Sequence, residues 1–230
     1  SPTTAELGAA ATAWCNDPAN ATNTYGDIST WDTSEVTSIQ GLFGKYFCTY
    51  CGGWEAVPRY CTSYPTFNSD VSSWDVSKVT NFDTTFGYAG AFNQDIGAWD
   101  VGSAQTMERF MQNAGSFDYD IGAWDTSQLR YADGMLLGTV VFNQDVSAWN
   151  VGRVSRMSMM FANSEKFNQV LCWDLTGKTA TSIFDGSAGS SDPSQAKCSC
   201  GAGTYYDGTT CSSCPAGHYS PRGKSTSCIS

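Results

Sequence analysis

One pattern constrains this chain more than any other: Phe-Asn-Gln-Asp-(Ile/Val)-x-x-Trp-(Asp/Asn) returns every 25 residues between Phe67 and Trp173. Phenylalanines stand at Phe67, Phe92, Phe117, Phe142 and Phe167, with tryptophans seven residues on at Trp74, Trp99, Trp124 and Trp149. Trp173 arrives one residue early. Self-similarity at a fixed period between about 20 and 50 residues marks a repeat architecture, in which each unit buries its apolar face against its neighbours. Further apolar positions complete each unit, one at Val79, Ala104, Leu129 and Val154, another at Phe86, Met111, Leu136 and Phe161. Alternation around Asp-Ile-x-x-Trp and Val-Thr predicts short strands, and Met157-Ser158-Met159-Met160-Phe161-Ala162 predicts a single helical or 3₁₀ turn. The fold class expected is therefore a repeat solenoid over residues 25–186, β-rich with short helical turns, of about six coils.

Ahead of the repeats, residues 1–24 form a lead-in. Thr3-x-x-Glu6 is a capping-box pattern, and Leu7, Ala10, Ala11 and Trp14 follow at helical spacing. This predicts an N-terminal helix that caps the first coil. Trp31 and Trp74 are 43 residues apart, one period plus an 18-residue insertion. The insertion lies between Phe43 and Phe67, within 44–66, and that segment carries Cys48, Cys51 and Cys61 together with Tyr46, Tyr50, Trp54 and Tyr60. Insertions in repeat arrays emerge as loops on one face, and those four aromatics make this one an interaction loop. Its three cysteines leave an odd count, so Cys15 is the expected fourth partner, although four cysteines allow three connectivities.

Beyond Cys172 the pattern decays, and residues 187–197, rich in Gly, Ser and Asp, read as a linker. Residues 198–230 carry Cys198, Cys200, Cys211, Cys214 and Cys228. So short a segment cannot fold by packing alone, so a small disulfide-rich module is expected. Cys200 with Cys211, Cys214 with Cys228, and Cys198 with Cys172 are the natural pairings.

Ten cysteines place the chain in an oxidising compartment, extracellular or at the cell surface. It begins at Ser1 without a Met or an apolar leader, which fits a secreted product relieved of its signal peptide, or an excised fragment. No apolar run approaches the ~20 residues that span a bilayer, so this segment is not expected to insert in a membrane. The net charge of −10 argues against nucleic acid as a partner. Asn20-Ala21-Thr22 is the single glycosylation sequon, pointing to a glycan on Asn20.

The recurring Phe-Asn-Gln-Asp-Ile-x-x-Trp-Asp-(Thr/Val)-Ser-x-Val-Thr-x-Met, clearest at 92–107 and 142–157, resembles the tandem surface repeats first noted in mycoplasma lipoproteins. These are grouped with BspA-like leucine-rich-repeat surface proteins and occur also in secreted proteins of marine algae and other protists. The tail, through Cys-x-x-Cys-Pro-Ala-Gly-His-Tyr-Ser, resembles the cysteine-rich modules of ephrin receptors and tumour-necrosis-factor receptors. Both resemblances imply a cell-surface or extracellular setting, and neither brings a catalytic motif. The pattern departs at Asp118-Tyr119, which replaces Asn-Gln, at Asn150 and at Val170.

Two acidic columns are the most suggestive chemistry, Asp70, Asp95, Asp120 and Asp145 on one line, and Asp75, Asp100 and Asp125 with Asn150 on the other. Stacked carboxylates repel, and either Ca²⁺ bridging the first column or turn N–H groups could offset this. Turn-capping is the stronger reading, because no EF-hand or calcium nonapeptide is present. Asn68, Asn93, Asn143 and Asn168 read as a hydrogen-bonded ladder. No catalytic residue and no cofactor is assigned, since the one histidine, His218, lies among the tail cysteines. The function expected is non-catalytic: adhesion or structural assembly, as in an extracellular filament or coat, with a cell-surface protein, a glycan or a second copy as partner. The alternative is a receptor-like ectodomain binding a glycan or protein through residues 44–66. A secreted hydrolase ranks third.

Overall fold

A computed structural model describes residues 4–45, 61, 63–191, 204–206 and 211–213. Within them, α1 (Thr4–Asn16) and α2 (Pro18–Tyr25) precede the repeats. Single 3₁₀ turns occupy Ile28–Thr30 and Tyr64–Thr66. Strand β1 (Val170–Leu171) pairs in parallel with β2 (Ser190–Ser191), and β3 (Thr204–Tyr206) pairs antiparallel with β4 (Cys211–Ser213).

This corrects the expected fold class. The described residues of 25–186 are mostly turn and irregular chain, and a β-rich, leucine-rich-repeat-like solenoid of about six coils is not seen. Successive units are joined instead by single parallel bridges: Ser38 to Asn81, Asn81 to Thr106, Thr106 to Tyr131, Tyr131 to Arg156, and Arg156 to Thr179. The hydrogen bonding around each bridge explains why strands do not form. The N–H groups of Phe82, Thr84, Phe86 and Tyr88 donate across to the carbonyls of Thr106, Glu108, Phe110 and Gln112. Between them, those of Thr85, Gly87 and Ala89 donate back within their own unit to Phe82, Thr84 and Phe86. Alternate N–H groups thus bond the neighbour while the rest close i→i−3 turns, satisfying the backbone without extended chain. Such a run needs left-handed residues, and φ is positive at Thr84, Arg109, Gly134, Met159 and Ser182, and again at Tyr88, Asn113, Gly138, Asn163 and Gly186. The helical turn expected at 157–162 is absent for the same reason, Met159 standing at φ 56° in its middle.

Inside, the Phe column stacks ring on ring, with centroids 6.0–6.1 Å apart from Phe67 through Phe92, Phe117 and Phe142 to Phe167. The Trp column is buried, and each indole N–H reaches a carbonyl of the preceding unit: Trp74 to Ile28, Trp99 to Val71, Trp124 to Ile96 and Trp149 to Ile121, at 2.8–3.1 Å. Each ring therefore buries its bulk while its one polar atom stays paired. Trp173, displaced by one residue in sequence, is equally buried but its indole nitrogen has no partner among the described residues.

At the N-terminal end α1 packs Leu7, Ala10, Ala11 and Trp14 against the core. The Trp14 indole donates to Ser69 Oγ at 3.0 Å, and a disulfide joins Cys15 to Cys61. Helix α2 begins where Asp17 accepts the Asn20 N–H and Pro18 fills the first turn, and it ends at Gly26 with φ 76°.

Candidate functional site

The two acidic columns are turn caps. Oδ1 of Asp70, Asp95, Asp120 and Asp145 accepts the N–H two residues on, from Ser72, Gly97, Gly122 and Ser147, at 2.8–3.0 Å. Asp75, Asp100, Asp125 and Asn150 do the same toward Ser77, Gly102, Ser127 and Gly152. Ser72 beside Asp70, and Ser77 beside Asp75, hold those carboxyls below their ordinary value through hydroxyl and N–H together. Ser29 and Thr176 act alike on Asp27 and Asp174. Among the described residues no group of three or more His, Cys, Asp or Glu is arranged to hold a metal ion.

The asparagine column joins units. Asn68 Oδ1 accepts the Asn93 N–H at 2.8 Å, and Gln94 Nε2 donates to both the Asn68 carbonyl and Oδ1. Asn143 receives Asn168 and Gln169 in the same way, and Asp118 receives Asn143 and Gln144. Asp118 therefore keeps the acceptor role of the asparagine it replaces. Tyr119, by contrast, has no amide to donate.

A third acidic column escaped the sequence reading: Asp83, Glu108 and Asp133 lie at equivalent positions of consecutive units. Asp83 Oδ1 accepts the Thr106 hydroxyl at 2.5 Å and the Glu108 N–H at 2.7 Å. Burial nevertheless pushes its carboxyl above the ordinary value. Glu108 is raised too, chiefly by burial and against the pull of Arg156. Arg156 bonds Asp133 Oδ2 through Nε and Nη2, and Nη2 also lies 2.9 Å from Glu108 Oε1, in ion-pair range but outside hydrogen-bond alignment. The 25-residue spacing of the three acids was the signal available. It was obscured because the column continues as Ser158, without an acid.

A cleft of about 390 Å³ opens at the N-terminal end. Glu6, Leu7 and Ala10 line it from α1, Tyr25 from the end of α2, and Thr30, Trp31 and Asp32 from the first unit. Trp31 lies parallel to Trp74 on one side, with centroids 6.1 Å apart. Tyr25 stands edge-on to it at 6.4 Å and is 44% exposed. No local sequence pattern marks this cleft, because its walls come from three separate elements.

Asn20 is exposed on α2, and the hydroxyl of Thr22 donates to the Pro18 carbonyl at 2.8 Å. Cys172 is also disulfide-bonded, and Cys211 lies in β4. The aromatics Tyr46, Tyr50, Trp54 and Tyr60, and Cys48, Cys51, Cys198, Cys200, Cys214 and Cys228, lie outside the described residues. No described helix is long and apolar enough to cross a membrane.

Two overlapping spans, residues 18–111 and 55–174, match the family described as "Mycoplasma protein of unknown function, DUF285". The chain belongs to that family. Membership is loosely compatible with a non-catalytic repeat surface protein; the receptor-like reading of the tail gains no support from it. Comparison with curated proteins and with solved structures finds no match.

Proposed function

We propose that this chain is a non-catalytic extracellular or cell-surface repeat protein whose work is adhesion or structural assembly, as a subunit of a filament or coat. One observation carries the reading. In each complete unit a row of four N–H groups donates to the next unit, the last such row being Met157, Met159, Phe161 and Asn163. The equivalent row in the final unit, Ala180, Ser182, Phe184 and Gly186, has no acceptor among the described residues. The opposite end is different, for Gly41, Leu42, Phe43 and Gly44 are buried there. An array whose last row of N–H groups has no acceptor among the described residues presents a donor edge to carbonyls of a partner chain, as in strand addition to a free edge.

The Cys15–Cys61 disulfide favours an oxidising compartment, and the exposed Asn20 is accessible to glycosylation. The net charge of −10 disfavours nucleic acid. The partner is a cell-surface protein or glycan, or a second copy. The receptor-like alternative rests on residues 44–66, outside the described set, and no described feature favours a hydrolase.

Sedimentation velocity over rising concentration, with negative-stain electron microscopy, tests the assembly reading. Oligomers are expected, and Thr181→Lys, which sets a charge on the open edge, is expected to dissolve them. A chain that stays monomeric throughout, and fails to bind cell surfaces, would sink it.

A further inference from the structure

The N-terminal cleft presents ring surface that neither the repeats nor the assembly reading uses. Trp31 lies parallel to Trp74 at 6.1 Å, meets Trp14 at a near right angle at 5.8 Å, and donates its indole N–H to the Gly26 carbonyl at 3.3 Å. The ring is thereby fixed and its one polar atom is paired, so what it brings to the cleft is apolar surface. Tyr25 stands at 69° to it and is exposed, and Leu7 and Ala10 complete the apolar wall. The volume of about 390 Å³ falls within the range of small-ligand pockets.

Glu6, Thr30 and Asp32 bring oxygen atoms to the same cleft. All three already have partners within the chain. Asp32 Oδ1 accepts the N–H and the hydroxyl of Ser34, the Thr30 hydroxyl donates to the Asp27 carbonyl, and Glu6 is engaged as well. Such partners hold the oxygens in place, and a carboxylate with about four acceptor sites, or a hydroxyl with two, is not exhausted by them. A ligand that is only flat and apolar would strip water from these oxygens without replacing its hydrogen bonds. An anion is disfavoured beside two carboxylates. A neutral pyranose meets both requirements, laying its C–H face on the rings while its hydroxyls donate to the oxygens.

We propose that this cleft binds a neutral pyranose unit, as a free sugar or as the end residue of a glycan. The proposal deepens the adhesion reading, in which a glycan is one partner, and sets that partner away from the C-terminal edge.

The test uses the full chain. Titration with methyl β-D-glucopyranoside, methyl β-D-galactopyranoside and methyl α-D-mannopyranoside is followed by the Trp31 indole resonance, and the chain is displayed to an array of neutral, sialylated and sulfated glycans. At least one of the three is expected to bind with about millimolar affinity and to shift Trp31, and cyclohexanol, which keeps the ring without the hydroxyl array, at least about tenfold more weakly. Tighter binding to neutral glycans ending in that sugar would identify the glycan as the source, and equal affinity the free sugar. Tyr25→Ala, at an exposed position, and Asp32→Asn, which keeps an acceptor for the Ser34 N–H, are each expected to weaken binding at least about fivefold with an unchanged melting temperature. Sugar binding by a chain that stays monomeric would leave this site standing without the assembly, and oligomers without sugar binding the reverse. Silence toward all three pyranosides and all neutral glycans, equal affinity for cyclohexanol or for choline, or full binding by Tyr25→Ala would overturn the proposal.

Discussion

Met159 shows what the backbone of this array asks of single residues. It stands at φ 56° and is 48% exposed, so its side chain contributes little packing there. A non-glycine residue in the left-handed region costs about 1–2 kcal/mol, and glycine recovers part of that after its own entropy is counted. Met159→Gly is therefore expected to stabilise the chain by about 1 kcal/mol, read by urea denaturation. The equivalent residues Thr84, Arg109 and Ser182 explain why this conformation is illegible in the sequence, since in that column Gly41 and Gly134 alone have the residue type the geometry favours. The second column, Tyr88, Asn113, Gly138, Asn163 and Gly186, is closer to type. Its alternation has a steric cause, since a Cβ on Gly138 would fall 2.2 Å from Asn113 Oδ1 and one on Gly186 2.7 Å from Asn163 Oδ1. Tyr119 poses the opposite case, a residue whose misfit was legible. Gln94, Gln144 and Gln169 each donate to the unit before, and Tyr119 sits exposed where such a donor belongs. Tyr119→Gln is expected to add a bond to Asn93 and about 0.5–1 kcal/mol, checked by the same denaturation. A change of zero or below would show that the tyrosine ring contributes more than the missing amide.

The elements divide according to where their signals lie. Helix α1 could be read because its apolar residues recur at helical spacing and bury one face. Helix α2 was missed, although Asp17-Pro18 at its start and Gly26 at its end are cap signals, because its sequence shows no apolar stripe and only Ala21 is buried. The repeats reversed the usual error. Their period and their Phe and Trp columns are plain, but the alternation predicts strands where the chain uses consecutive turns. Apolar alternation constrains which side chains face inward and leaves open how the backbone satisfies itself between them. The Cys15–Cys61 link ties α1 to the segment before Phe67 and closes a loop with a sequence separation of 46. A loop of that length loses about 4 kcal/mol of unfolded-state entropy when cross-linked. Replacing both cysteines by alanine should lower stability by an amount of that order. Packing and the hydrogen bonds of Trp14 to Ser69, Ser63 to the Cys15 carbonyl and the Thr37 N–H to Thr4 then hold the helix. Loss of helical signal before the main melting transition would mark α1 as the part released. A coincident transition with an unchanged midpoint would mean that packing holds it without the disulfide.

At the scale of the molecule, two sets of carboxylates pull the pH dependence of stability in opposite directions. Asp27, Asp70, Asp75 and Asp174 lie below the ordinary value of 3.8, held there by serine or threonine hydroxyl and N–H donors. A depressed folded-state pKa contributes stability that is present above the unfolded value and lost as pH falls through the folded one. Asp83 and Glu108 are raised, mainly because burial penalises their charged forms. Their contribution is present below the unfolded values and lost as pH rises through the folded ones. The turn caps thus favour neutral pH and the buried column favours mildly acidic pH, so stability should peak in the mildly acidic range rather than at neutrality. Asp83→Asn and Glu108→Gln remove the charge that burial disfavours. Together they should flatten the decline from the peak toward pH 7 and leave the acid side unchanged. Asp70→Asn and Asp75→Asn keep an acceptor for the turn N–H and should flatten only the acid side. Thermal melting of the four proteins across this pH range separates the two effects. If the buried-column variants instead flatten the acid side, or if wild-type stability still rises between pH 5 and 7, then the ion pairs of Arg156 with Asp133 and Glu108 outweigh the burial of the acids, and the third column binds the units through charge rather than resisting it.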